Sequence, residues 1–106
     1  MKLVICLVTF LTLSIAVSHV RAQTVGDSQK GLAVAQQVCA QCHAVERGEY
    51  RSLNARAPTF TELAAAPGMT DTALSVALMT PHAGMPMFTF TADERQDVIA
   101  YILSLR

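Results

Sequence analysis

The sequence predicts an all-α domain, and two kinds of observation carry that expectation. Apolar residues recur at helical spacing, at Leu32, Ala35, Cys39 and Cys42 and again at Val98, Tyr101, Ile102 and Leu105. Helix-start signals of the Thr-x-x-Glu type stand at Thr59–Glu62 and Thr91–Glu94. No segment alternates as a half-buried strand would, and no repeat interrupts the chain.

The chain has 106 residues and is 52% hydrophobic, but much of the apolar content lies at its start. Lys2 is followed by an apolar run from Leu3 to Val17, and Val20-Arg21-Ala22 offers a cleavage site. Residues 1–22 therefore read as a secretory signal peptide. An uncleaved anchor is the alternative, disfavoured by the short run and by Thr9, Thr12 and Ser14 within it. Cys6 leaves with the signal, so the domain at residues 23–106 keeps only Cys39 and Cys42. Lys2 and Arg21 leave too, and six basic residues then face eight acidic ones, a net charge of −2. That balance gives no footing for nucleic acid, and no membrane span remains once the signal is removed. Export places the domain outside the cytoplasm, and a monomer is expected.

Ser28, preceded by Asp27, reads as the cap of a first helix running to about Cys42. Gly31 lies inside it and costs stability against Ala, which points to close approach of another helix. Glu46 to Arg56 has no period and reads as an exposed, charged loop. Thr59 opens a short helix ended by Pro67-Gly68, and Thr70 caps a third over about Asp71 to Met79, stopped by Pro81. Thr80 to Phe90 is a loop rich in Met and Phe, which should pack on something apolar. The last helix spans about Ala92 to Ser104, with Asp93 and Glu94 at its positive end.

Cys39-Ala-Gln-Cys42-His43 carries the chemistry. C-x-x-C followed directly by His reads as a c-type haem attachment site. Two thiols on one helical turn can each add to a vinyl group of the same porphyrin, and the adjacent imidazole can then reach the iron. A thiol-redox or zinc module is the competing reading of C-x-x-C, and the following His argues against it. A domain of about 80 residues buries a limited core and often needs a staple. One covalently held haem per chain would supply it.

The order of Gly31, Cys39-Ala-Gln-Cys42-His43, Ala57-Pro58, Met85-Pro86 and Asp97-Val-Ile-Ala-Tyr101 resembles class I cytochrome c of the small bacterial periplasmic type. The resemblance spans nearly all of residues 23–106. It implies a cytochrome c fold, four or so helices wrapped around one covalently bound haem, with the terminal helices crossing near Gly31 and Tyr101. It implies thioethers at Cys39 and Cys42, His43 as proximal ligand, Met85 as distal ligand, and Pro58 lending its carbonyl to the far nitrogen of His43. Gly84 and Pro86, on either side of Met85, suit a ligand aimed inward. Met87 is its competitor. Met69 and Met79 read as core filler, and His82 as a solvated loop residue. Tyr50, Asn54 and Arg56 are candidates for the haem propionates.

The sequence departs from the mitochondrial pattern. Ala35 replaces an aromatic residue between the helices, there is no Trp, and the surface is not lysine-rich. The function implied is a soluble periplasmic one-electron carrier, not an enzyme, meeting redox partner proteins transiently at the haem edge. The alternatives are a haem subunit of a larger oxidoreductase complex, and a haem sensor or enzyme with a displaceable distal ligand.

Overall fold

The computed structural model describes residues 25–106; the expected signal peptide, its cleavage point and Cys6 lie outside the described residues. Four α-helices follow in order: α1 at Ser28–Val38, α2 at Phe60–Ala65, α3 at Asp71–Met79 and α4 at Ala92–Ser104. A single 3-10 turn, Cys39–Gln41, extends α1. The described residues contain no strand, as expected, only an isolated bridge between His82 and Met85. α4 is the hub: it packs chiefly on α1 and more lightly on α2 and α3.

The first helix starts and stops differently from the expectation. Its cap is Asp27, whose carboxylate accepts from the N–H groups of Gln29 at 2.9 Å and Lys30 at 3.2 Å. Ser28 is already helical. Asp27 is itself fixed from across the fold, because its N–H donates to Asp97 Oδ1 at 2.6 Å. The α-helix ends at Val38, and both Cys42 N–H (3.1 Å) and His43 N–H (2.9 Å) converge on the Cys39 carbonyl. The motif therefore sits on a tightened turn and not on a continuing helix.

Gly31 explains the packing of α1 on α4. It is buried, and a Cβ there would overlap the backbone carbonyl of Asp97 and come within 2.8 Å of Tyr101 Cβ. The two backbones cross too closely for any side chain. The core gathers around this crossing: Ala35 and Ile99 are fully buried, with Val98, Ile102, Leu105, Phe60, Ala64 and Leu74 about them. With Ala at position 35, the aromatic partner of Tyr101 is Phe60 of α2, ring centroids 6.3 Å apart.

The loop from Glu46 to Arg56 is exposed for most of its length, yet it is not a mere solvated face. Arg47 donates to Ser104 O at 2.7 Å and Leu105 O at 3.4 Å, satisfying carbonyls that the end of α4 leaves open. Ser52 is buried, and its hydroxyl accepts Ala44 N–H at 2.9 Å. Arg106 donates to Ala64 O and Met69 O, tying the chain's last residue to α2 and the turn after it.

Both expected capping boxes form, at Thr59/Glu62 and Thr91/Glu94. The backbone N–H and hydroxyl of Thr91 hold the Glu94 carboxyl below its ordinary range. A depressed carboxylate stabilises the fold above its unfolded-state pKa, and that contribution disappears as pH falls through the lower folded-state value. Stability should therefore decline on the acid side of about pH 4 more steeply in the wild-type chain than in Glu94→Gln. Thermal unfolding across that range reads the difference, and identical slopes would remove the box from the acid response. Gly31→Ala should lower stability in denaturant titration by about 1–3 kcal/mol, although Ala favours helix by about 1 kcal/mol. A neutral or stabilising result would contradict the close crossing.

Candidate functional site

The turn that ends α1 presents Cys39, Cys42 and His43 together. Cys39 is buried against the core, Cys42 and His43 are half-buried, and both thiols are free of a disulfide. Burial pushes the Cys39 thiol up to about 11. It stays protonated at neutral pH, the opposite of the acidified thiol that disulfide exchange chemistry favours. No group of three or more His, Cys, Asp or Glu side chains among the described residues is arranged to hold a metal ion. The raised thiol weighs against the thiol-redox reading of this motif.

The imidazole of His43 is oriented from outside its own turn. Its Nδ1 lies 2.7 Å from the carbonyl oxygen of Pro58. A carbonyl only accepts, so Nδ1 carries a proton, and in the neutral ring the lone pair is then on Nε2. Phe60 packs against the ring at a centroid distance of 5.6 Å. The local sequence explains how Pro58 arrives there. Phe60 N–H donates to Ala44 O at 2.9 Å, and the Thr59 capping box starts α2 immediately after Pro58. Asn54 N–H donates to Cys42 O at 3.0 Å, fastening the preceding loop to the same motif.

Met85 lies in the loop between α3 and α4. It is half-buried, whereas Met87 is 55% exposed. Met85 N–H donates to His82 O at 3.3 Å across a tight turn, and Gly84 occupies it with φ +84°, a conformation that favours glycine. Phe88 and Phe90 are half-buried in mutual contact, ring centroids 5.9 Å apart, so part of the loop's apolar content does pack. His82 is exposed, as expected, with Nδ1 3.1 Å from Thr80 O. Met69 joins the core as expected, but Met79 is 53% exposed and does not. Tyr50, Asn54 and Arg56 are all exposed, and Asn54 Oδ1 accepts Arg56 N–H at 3.0 Å in a local turn.

The structure thus joins His43 to Pro58 and sets both beside the cysteine pair, while Met85 comes from a separate loop. This donor set fits a c-type haem: two unbridged thiols on one turn, and an imidazole whose Nε2 lone pair is left for a metal. Sequence reasoning missed Ser52 and Phe60 as supports of the motif, and Arg47 as the partner of the carbonyls at the end of α4. Phe60 alone carried a usable signal, as the large apolar residue one position into a capping box.

A family model described as cytochrome C oxidase, cbb3-type, subunit III matches residues 26–102. No match was found among curated proteins or among solved structures. The matched span covers nearly every described residue, and with it the resemblance to class I cytochrome c and the all-α cytochrome c fold are borne out. The chain belongs to this cbb3-type family of class I-like monohaem cytochrome c domains, which bind c-type haem covalently.

Proposed function

We propose that the chain is an exported, soluble one-electron carrier whose haem is held by Cys39 and Cys42 and ligated by His43 and Met85. The observation that carries this reading is the His43 imidazole, fixed by the Pro58 carbonyl at 2.7 Å on the turn that bears both thiols. Metal-bound histidines usually donate their other ring N–H to such an acceptor, which fixes the ring and raises its basicity. When bound, c-type haem supplies a reversible one-electron iron couple.

The chain's own residues then do three things. Cys39 and Cys42 would tether the group covalently, adding an apolar element to the core of a small domain. His43, braced by Pro58 and Phe60, would offer the iron one fixed imidazole orientation, which would keep rearrangement on electron transfer small. Met85 contributes a soft thioether, which favours the reduced form and raises the potential. His43 and Met85 would together hold the iron, which suits transfer of an electron and not binding of a substrate. Cytochrome c domains are generally exported and receive haem outside the cytoplasm, which accords with residues 1–22 as a signal peptide. Among the described residues no helix is long and apolar enough to cross a membrane. A second reading, a haem subunit of a larger oxidoreductase complex, is favoured by the family's description as an oxidase subunit.

Expression in a host that matures c-type cytochromes tests the proposal. The product should show reduced-minus-oxidised haem bands, keep its haem in denaturing electrophoresis, and fractionate as a small periplasmic protein beginning near Gln23. Replacing Cys39 and Cys42 with Ala should abolish haem retention. A haem-free product in the same host would overturn the carrier reading, and stable co-fractionation with a membrane oxidase would replace it with the subunit.

The two methionines give a separate test. Met85→Ala should remove the weak long-wavelength sulfur-to-iron band and lower the potential, whereas Met87→Ala should keep the band and shift the potential modestly. The reverse pattern would transfer the ligand role to Met87.

A further inference from the structure

The two cysteines of the motif differ in what the fold puts around them. Gly31, Ala35 and Cys39 follow one another at helical spacing of four residues, along one face of α1 and the turn that extends it. Gly31 meets the Asp97 carbonyl, and Ala35 is fully buried. Cys39 is 7% exposed, in the buried cluster that also holds Val98, Ile99 and Ile102 of α4. Cys42, three residues on, is half-buried and outside that cluster.

The atoms that cover Cys39 belong to the chain itself. A reagent reaches its thiol where the turn parts from the core, and α1 packs chiefly on α4. Local openings of this kind cost free energy, and a group behind one reacts in proportion to the population of the open form. The backbone contact at Gly31 lies on the same face as Cys39 and adds to that cost. Cys42 requires no separation of the helices.

We propose that the fold orders the covalent attachment of haem: Cys42 forms the first thioether, and Cys39 forms the second once α1 loosens from α4. This rests on the haem-carrier reading. In each step the cysteine sulfur bonds to the vinyl carbon next to the ring, and the thiol hydrogen ends on the terminal vinyl carbon, which becomes a methyl group. An S–H bond and the second bond of a C=C are exchanged for an S–C and a C–H bond, and no oxidant or reductant is consumed. The first bond forms at the residue next to His43, whose ring the Pro58 carbonyl holds. The first tether and the proposed proximal ligand are thus neighbours in the chain, and the species that accumulates is singly attached at Cys42.

The test starts from the mature chain produced without haem and kept reduced with a phosphine. N-ethylmaleimide labelling, read as peptide masses, should modify Cys42 at least about tenfold faster than Cys39. The two rates should converge in denaturant. Gly31→Ala should raise the Cys39 rate several-fold and leave that of Cys42 unchanged. Ferrous protohaem is then added and the remaining thiols are capped at intervals. Early peptides should carry haem on Cys42 and the cap on Cys39. Cys39→Ala should form its single thioether at the rate of the first step, with Cys42→Ala slower by the factor seen in labelling. Equal labelling in native buffer, a first thioether at Cys39, or a Cys39 rate indifferent to Gly31→Ala would overturn the ordering. So would failure of both thioethers with added haem when a cytochrome-maturing host attaches them, because the folded chain is then not what reacts. A haem-free product from that host as well would instead overturn the haem reading beneath the proposal.

Discussion

The crossing of α1 over α4 at Gly31 is the constraint on which the other contacts depend. It brings the Asp97 carbonyl against the bare Cα of Gly31, and the Asp97 side chain onto the backbone of Asp27, the cap of α1. The contact between Gly31 and the Asp97 carbonyl is backbone on both sides, so neither can adjust by changing a rotamer. Four residues on, Tyr101 reaches from α4 to the chain leaving the cysteine motif, where its hydroxyl donates to Val45 O at 2.7 Å. Burial, and after it the nearby Glu46, push this phenol above its ordinary range. The bond therefore keeps its donor throughout the physiological range and weakens only at strongly alkaline pH.

From Val45 the order passes to the site. Ala44 is held on one side by the Ser52 hydroxyl, and on the other its carbonyl accepts from Phe60. Phe60 stands between His43 and Tyr101, tilted against both rings. The same capping box that starts α2 leaves the Pro58 carbonyl on His43 Nδ1. Three short segments, at Ala44–Val45, Ser52 and Pro58–Phe60, thus determine one imidazole orientation, with Tyr101 of α4 behind them. A redox centre that changes charge without changing shape needs such bracing, because motion of a ligand would add to the barrier for electron transfer.

Features governed by local rules could be read from the residues. The two capping boxes need only a Thr and a Glu three apart, and both form. The helical stripe at Val98, Tyr101, Ile102 and Leu105 is buried as its spacing requires. Gly31 was legible because a glycine inside a helix costs stability and so needs a neighbour close by. Pro58 was legible only through family resemblance, since nothing in an Ala-Pro pair announces a histidine fifteen residues away. The failures share one cause. Asp27 displaced Ser28 as cap because Asp97, seventy positions along, holds its backbone. Arg47 and Ser52 look like loop residues until the end of α4 and Ala44 are beside them. Long-range partners leave no periodic trace in a single sequence.

The same partners account for the protein's electrostatic character. Much of its charge is engaged with its own backbone: Asp27, Glu62 and Glu94 accept from helix N-termini, and Arg47 and Arg106 donate to carbonyls at helix ends and turns. Charges so held stabilise local structure, because hydrogen bonds to ionised groups are stronger than neutral ones. They are poorly placed to create a one-sign field over a face. With a near-balanced total and an uncharged stretch around Met85, the chain has little means of steering a partner from a distance.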